Sequence, residues 1–233
     1  MSELNPIPFL AGVAKAVAAR LSFVSVQSFL RRPRDAAGPS VGLKLDTRKW
    51  SPELLKQLEW RRFEEVCAAY YEALGFSARV SGAGADGGVD ILLHEQGSER
   101  ASSIARCRAW DAYRIGVKAV RELRSAMAVA RINQGVLLTS GRFTYEAVAL
   151  AGKENIQLID GAGLLDKIAA LPQEKALALL KFATQGDFVT PTCPACSIKM
   201  TSRQSTKEGR KFWGCRNYPA CKQTFAGTAN APA

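Results

Sequence analysis

The stretch Ile104-Ala105-Arg106-Cys107-Arg108-Ala109-Trp110 decides how this chain folds. Isoleucine, cysteine and tryptophan suit a pleated, half-buried surface, so the segment reads as a strand. Strand side chains alternate faces, which places Arg106 and Arg108 on the same side. Just upstream, Val89-Asp90-Ile91-Leu92-Leu93-His94 reads as a second strand, with Gln96-Gly97-Ser98 between the two. That spacing predicts an antiparallel hairpin. Further on, Gly135-Val136-Leu137-Leu138-Thr139-Ser140 is an unbroken apolar run of the kind buried on both faces of a sheet.

Helical patterns frame these strands. Ser51-Pro52-Glu53 is a helix start, with serine at the cap and proline in the first turn. Leu55, Leu58, Phe63, Val66, Cys67, Tyr70 and Leu74 are spaced for one buried face, and Gly75 closes the helix. A strand is expected over 76–80 and a turn-rich loop over 81–88. Residues 115–131 then read as a helix with Val117, Val120, Leu123, Met127 and Ala130 on one side. A short helix over 143–151, a strand over 156–159 and further helix over 163–183 complete the pattern. The order predicts an α/β fold, a mixed central sheet flanked by helices.

The 233 residues are 47% hydrophobic and 23% charged, with a net charge of +11. The excess is uneven. Residues 1–50 carry eight basic and three acidic side chains, residues 51–190 seventeen of each, and residues 191–233 seven basic side chains and only Glu208. A neutral middle with basic flanks points to a polyanionic partner, nucleic acid first. One histidine, His94, excludes paired-histidine metal sites and disfavours histidine-dependent triads. The apolar stretch 7–30 is interrupted by Lys15 and Arg20, too early for a membrane span. As a helix it lays Phe9, Val13, Val17, Leu21 and Val24 along one side, so residues 1–50 read as an apolar, basic helix and linker. Contact with a membrane surface is a second reading of that stripe.

The remaining organisation follows the cysteines. Cys67 and Cys107 stand alone in apolar patterns and read as small buried hydrophobes. Cys193-Pro-Ala-Cys196 and Cys215-Arg-Asn-Tyr-Pro-Ala-Cys221 are two close pairs separated by eighteen residues. This is the spacing of a tetrahedral zinc site, each pair forming one knuckle. Two disulfides are the alternative, disfavoured because nothing indicates an oxidising compartment. A segment of about 35 residues builds little core, so the metal supplies its folding energy. Around the cysteines, Lys199, Arg203, Lys207, Arg210, Lys211, Arg216 and Lys222 alternate with Phe212, Trp213, Tyr218 and Phe225. Cations among aromatics suit a strand whose phosphates are neutralised while its bases stack. The expected domains are 51–184, a linker at 185–192, a four-cysteine finger at 193–226 and a disordered tail at 227–233.

Two resemblances sharpen the expectation. The wording CPAC…FWGCRNYPAC resembles the four-cysteine zinc fingers at the C-termini of bacterial type I topoisomerases. That implies a zinc-ribbon-like module that binds DNA, often single strands, through Lys199, Arg203, Arg210, Lys211, Phe212, Trp213, Arg216, Tyr218 and Lys222. Between residues 60 and 170, several pieces in order resemble the Mrr-like restriction endonucleases of the PD-(D/E)xK nuclease superfamily. They are Phe63-Glu64, Leu74-Gly75-Phe76, Asp86-Gly87-Gly88-Val89-Asp90-Ile91, IARCRAW, Val120-Arg121-Glu122-Leu123, Gly135 to Thr144, and Ile159-Asp160-Gly161.

The second resemblance implies a restriction-endonuclease-like fold, magnesium-dependent cleavage of DNA phosphodiesters, and often a homodimer. It implies that Asp90 is the metal carboxylate, that Cys107 offers its backbone carbonyl, and that Glu64 is the helix carboxylate supporting the metal. Arg106 falls where the family has glutamine or glutamate, and Arg108 where it has lysine. Arginine does not ligate magnesium, and it does not act as a base because it stays protonated. Its fork of donors holds phosphate or orients water. Asp86 reads as a loop-shaping residue and His94 as an ordinary strand residue. Two functions follow: a zinc-finger-targeted endonuclease, or a catalytically inactive DNA-binding protein in which Asp90 and Glu64 pair with Arg106 and Arg108. Either belongs in a bacterial cytoplasm, beside the nucleoid.

Overall fold

The computed structural model describes residues 46–80, 90–109, 114–206 and 209–226. The expectations for residues 1–45, the loop at 81–89 with Asp86, and the tail beyond 226 lie outside the described residues. A sheet of five strands forms the centre: β1 (Ser77–Val80), β2 (Asp90–His94), β3 (Ser103–Arg108), β4 (Gly135–Thr139) and β5 (Ile156–Ile159), in that spatial order. β1, β2 and β3 are antiparallel neighbours, whereas β3, β4 and β5 run parallel. The sheet is therefore mixed, and the hairpin of β2 and β3 is the expected one.

Helices cover both faces. On one, α1 (Pro52–Gln57), α2 (Trp60–Ala73), α5 (Gly161–Ala169) and α6 (Gln173–Thr184) pack against the sheet. Their Phe63, Val66, Cys67, Leu164, Ile168 and Phe182 share a core with Ile91, Leu93, Ala105, Cys107 and Leu138. On the other, α3 (Val117–Ala130) and α4 (Tyr145–Ala151) pack Val120, Leu123, Met127 and Ala147 against Ile104, Leu137 and Ile156. Every β4 residue is buried, as a central parallel strand requires. Cys67 and Cys107 are both interior.

Two long helices expected from the sequence are each broken. The 51–74 helix stops at Leu58, whose ψ of 122° is extended, and restarts at Trp60. Glu59 provides the break: its backbone is extended and its N–H donates to Phe188 O at 2.8 Å. The 163–183 helix is divided at Leu171 and Pro172, since proline removes a helical donor. Gly75 closes α2 in the left-handed region, at φ 98°. Gly161 allows α5 to start against the end of β4, where a Cβ would lie 2.5 Å from Ser140 O.

The C-terminal module is a three-stranded antiparallel sheet, β6 (Thr201–Gln204), β7 (Lys211–Gly214) and β8 (Thr224–Ala226). Residues 185–192, expected as a linker, carry specific bonds. Asp187 Oδ1 accepts from the N–H groups of Val189 and Thr190, and Phe188 packs on the main core. No helix among the described residues is long and apolar enough to cross a membrane.

Candidate nuclease site and zinc centre

The strand that opened the reading sits at the centre of the sheet. Its register puts Asp90 of β2 directly opposite Arg106 of β3. Facing pairs in a sheet share a side, so the Asp90 position and both arginine positions belong to the α3 face. The end of β3 is pinned to the end of β4. Thr139 Oγ1 donates to Arg108 O at 2.8 Å, and Ser140 Oγ donates to Ala109 O at 2.7 Å.

Arg106 and Arg108 do point the same way, and they converge on Glu122 of α3. Arg108 Nη2 lies 2.6 Å from Glu122 Oε2, and Arg106 Nη1 lies 3.9 Å from the same oxygen. Lys118 approaches the other oxygen at 3.8 Å from one turn earlier. Arg106 is 5% exposed, which makes a nearby carboxylate essential for its charge. Glu122 was not singled out from the sequence as a site residue. The signals available were its place in Val120-Arg121-Glu122-Leu123, one of the pieces that carry the Mrr-like resemblance, and its position on a periodic helix.

Glu64 comes from α2, the helix on the opposite face of the sheet. Glu122 of α3 is a carboxylate that meets both arginines, and Glu64 interacts electrostatically with Arg108. Burial raises the Glu64 carboxyl to about 8, with Glu59 adding to the rise and Arg108 opposing it weakly. At neutral pH Glu64 is therefore mostly protonated. Cys107 turns its side chain into the α2 core, which leaves its backbone as its contribution to this end of the sheet. His94 is 5% exposed, and neither ring nitrogen has a hydrogen-bond partner.

Magnesium takes hard oxygen ligands in near-octahedral order. Arg106 and Arg108 offer only N–H donors, so of the expected residues the oxygens of Asp90, Glu64 and the Cys107 carbonyl are the ones that would hold it.

The zinc ligands fit closely. The four sulfurs of Cys193, Cys196, Cys215 and Cys221 all lie within 4.8 Å of one another. Cys193 Sγ and Cys221 Sγ are 3.7 Å apart, close to the edge of about 3.8 Å that tetrahedral bonds of about 2.3 Å imply. Asn217 N–H points at Cys215 Sγ over 3.4 Å, which steadies a thiolate.

The expected DNA-facing side chains divide. Arg210, Lys211, Arg216, Tyr218 and Lys222 are exposed. Arg203 is half-buried, with its guanidinium 5.3 Å from the Tyr218 ring centroid. Phe212 is half-buried as well. Trp213 is not a surface ring. It is 5% exposed and packs with Cys193, Met200 and Cys215 in the core of the module. Lys199 also turns inward, 3.1 Å from Glu59 Oε1.

Comparison with known proteins finds a match for each of the two modules. Residues 55–168 match the Mrr catalytic-domain model, a restriction endonuclease family. Residues 190–226 match the topoisomerase DNA-binding C4 zinc finger. The chain carries an Mrr-type restriction endonuclease domain followed by a topoisomerase-type C4 zinc finger. An uncharacterised Sinorhizobium fredii protein, y4cE, is 30% identical over 99 residues, which is 42% of this chain and 25% of the relative. DNA topoisomerase 1 of Pyrococcus horikoshii is 29% identical over 115 residues, 48% of this chain and 15% of the relative. The chain thus spans a quarter or less of the length of these relatives. Among solved structures, the DNA modification-dependent restriction endonuclease AspBHI aligns with 79% of this chain and 50% of its own, at 20% identity and a TM-score of 0.41. MspJI restriction endonuclease in complex with a 27-mer oligonucleotide aligns over 71% and 43%, at 20% identity and a TM-score of 0.33.

Proposed function

We propose that this chain binds DNA through both modules, and that its Mrr-type domain holds a phosphodiester with the guanidiniums of Arg106 and Arg108. The observation that carries the reading is the convergence of both arginines on Glu122, at the strand position where the family places its catalytic pair. A guanidinium's planar fork of N–H donors is suited to a phosphate oxyanion, and two of them stand on one face here. The finger adds the exposed Arg210, Lys211, Arg216 and Lys222, with Tyr218 as a stacking surface.

A second reading, metal-dependent endonucleolytic cleavage, is favoured by the family match and by the register of Asp90 against Arg106. In it Arg108 orients water or substrate, since it does not accept a proton. One assay separates the two. Plasmid and single-stranded DNA are incubated with the zinc-loaded protein and magnesium or manganese. Binding without cleavage, with cleavage gained in an Arg106→Gln, Arg108→Lys variant, is the expected result. Cleavage by the parent that disappears in Asp90→Ala establishes the second reading instead.

A further inference from the structure

Glu59 stands between the two modules and belongs to both. It is the N-cap residue of α2, where Oε2 accepts the Arg61 N–H at 3.1 Å. The same oxygen accepts the Thr192 N–H at 3.2 Å. Oε1 accepts from Thr192 Oγ1 at 2.9 Å and from Lys199 Nζ at 3.1 Å. The next residue repeats the link, because Trp60 Nε1 donates to Thr192 O at 2.7 Å. Lys199 is held from a second side by Thr190 O at 2.7 Å.

Thr192 and Lys199 are the flanks of the first zinc knuckle. Thr192 precedes Cys193, and the two flanks form a β-bridge around Cys193 and Cys196. Cys193 N–H closes the same turn on Ile198 O at 2.8 Å. The donors that satisfy Glu59 are therefore ordered by the knuckle. Glu59 itself is only 3% exposed, so losing them leaves a buried carboxylate short of partners. A serine or aspartate caps a helix with a shorter reach. The longer side chain here reaches the finger as well.

We propose that Glu59 is a positioning residue that seats the metal-loaded finger on the restriction endonuclease domain and holds the first turn of the helix that carries Glu64. The two glutamates are five positions apart, about 7.5 Å along a helix axis. The finger is a fixed extension of the domain, not an anchor on a free tether. The clamp stands on the zinc-site geometry alone. Only its consequence, that one stretch of DNA meets both modules, rests on the proposed function.

The test uses the full chain, zinc-loaded and then stripped with a chelator. Amide exchange is followed in residues 59–66, with β4 as the internal reference. The Trp60 indole N–H is followed by NMR, assigned with Trp60→Phe. Stripping zinc is expected to raise exchange at 59–66 by about tenfold or more, leave β4 protected, and move the Trp60 indole resonance upfield. Lys199→Met and Thr192→Val, both with zinc bound, are expected to reproduce part of the change, and Lys199→Arg to restore protection. The proposal is overturned if the finger strands lose protection on stripping while residues 59–66 and the Trp60 resonance stay unchanged. Intact coupling in a protein that neither binds nor cuts DNA refutes the proposed function and leaves the clamp standing.

Discussion

Replacing Glu64 by glutamine should flatten the pH dependence of stability. Burial raises this carboxyl from an ordinary 4.5 to about 8. In the folded state Glu64 keeps its proton where the unfolded chain has lost it. Stability from this residue is therefore greatest below pH 4.5, falls as pH rises toward 8, and is flat above. A rise of about 3.5 pH units at about 1.4 kcal/mol each corresponds to a change on the order of 5 kcal/mol. Glutamine has the shape of the protonated acid and no charge to bury. Urea unfolding of the zinc-loaded parent and Glu64→Gln, at intervals from pH 5 to 9, measures the difference directly. The two proteins should lie within about 1 kcal/mol at pH 5, and the variant should be more stable by roughly 3–5 kcal/mol at pH 9. Glu72, which burial raises to about 7, is present in both and cancels. Parallel curves across the whole range would refute the reasoning, because Glu64 would then be ionised in the folded protein.

Three further outcomes follow from particular side chains. Glu122→Gln removes the carboxylate shared by Arg106 and Arg108 and should lower stability by about 2–4 kcal/mol, read by chemical denaturation. Inorganic phosphate should restore more stability to that variant than to the parent. Tyr218→Ala should keep zinc but weaken single-stranded DNA by about 1–3 kcal/mol, measured by fluorescence anisotropy. Trp213→Ala should instead lose zinc to a colorimetric chelator, because that ring fills the core of the finger.

Much of the sheet was legible because its strands carry local signals. β4 is an unbroken apolar run, and the hairpin of β2 and β3 has its turn residues in place. The four cysteines were legible for the same reason, since ligand spacing is a local property. Partners distant in sequence were not. Glu122 reaches Arg108 across fourteen residues, and an acidic residue beside Val120 and Leu123 looks like any solvated helix position. The break at Leu58 and Glu59 arises from contacts with Phe188 and Thr192, more than a hundred residues away, so helical periodicity ran through it. Trp213 and Lys199 read as DNA-facing because composition does not say which side of a short strand is covered. Trp213 instead fills the zinc module, and Lys199 joins it to α2.

The most direct test of the central claim is the salt dependence of DNA affinity in the parent and in a variant carrying Arg106→Gln, Arg108→Gln and Glu122→Gln together. Neutralising all three groups avoids leaving one charge buried alone. On a short duplex, the account predicts weaker binding by the variant and a slope of log affinity against log salt that is shallower by about one to two. Equal affinity and an unchanged slope would contradict it, placing the phosphate contacts elsewhere on the protein.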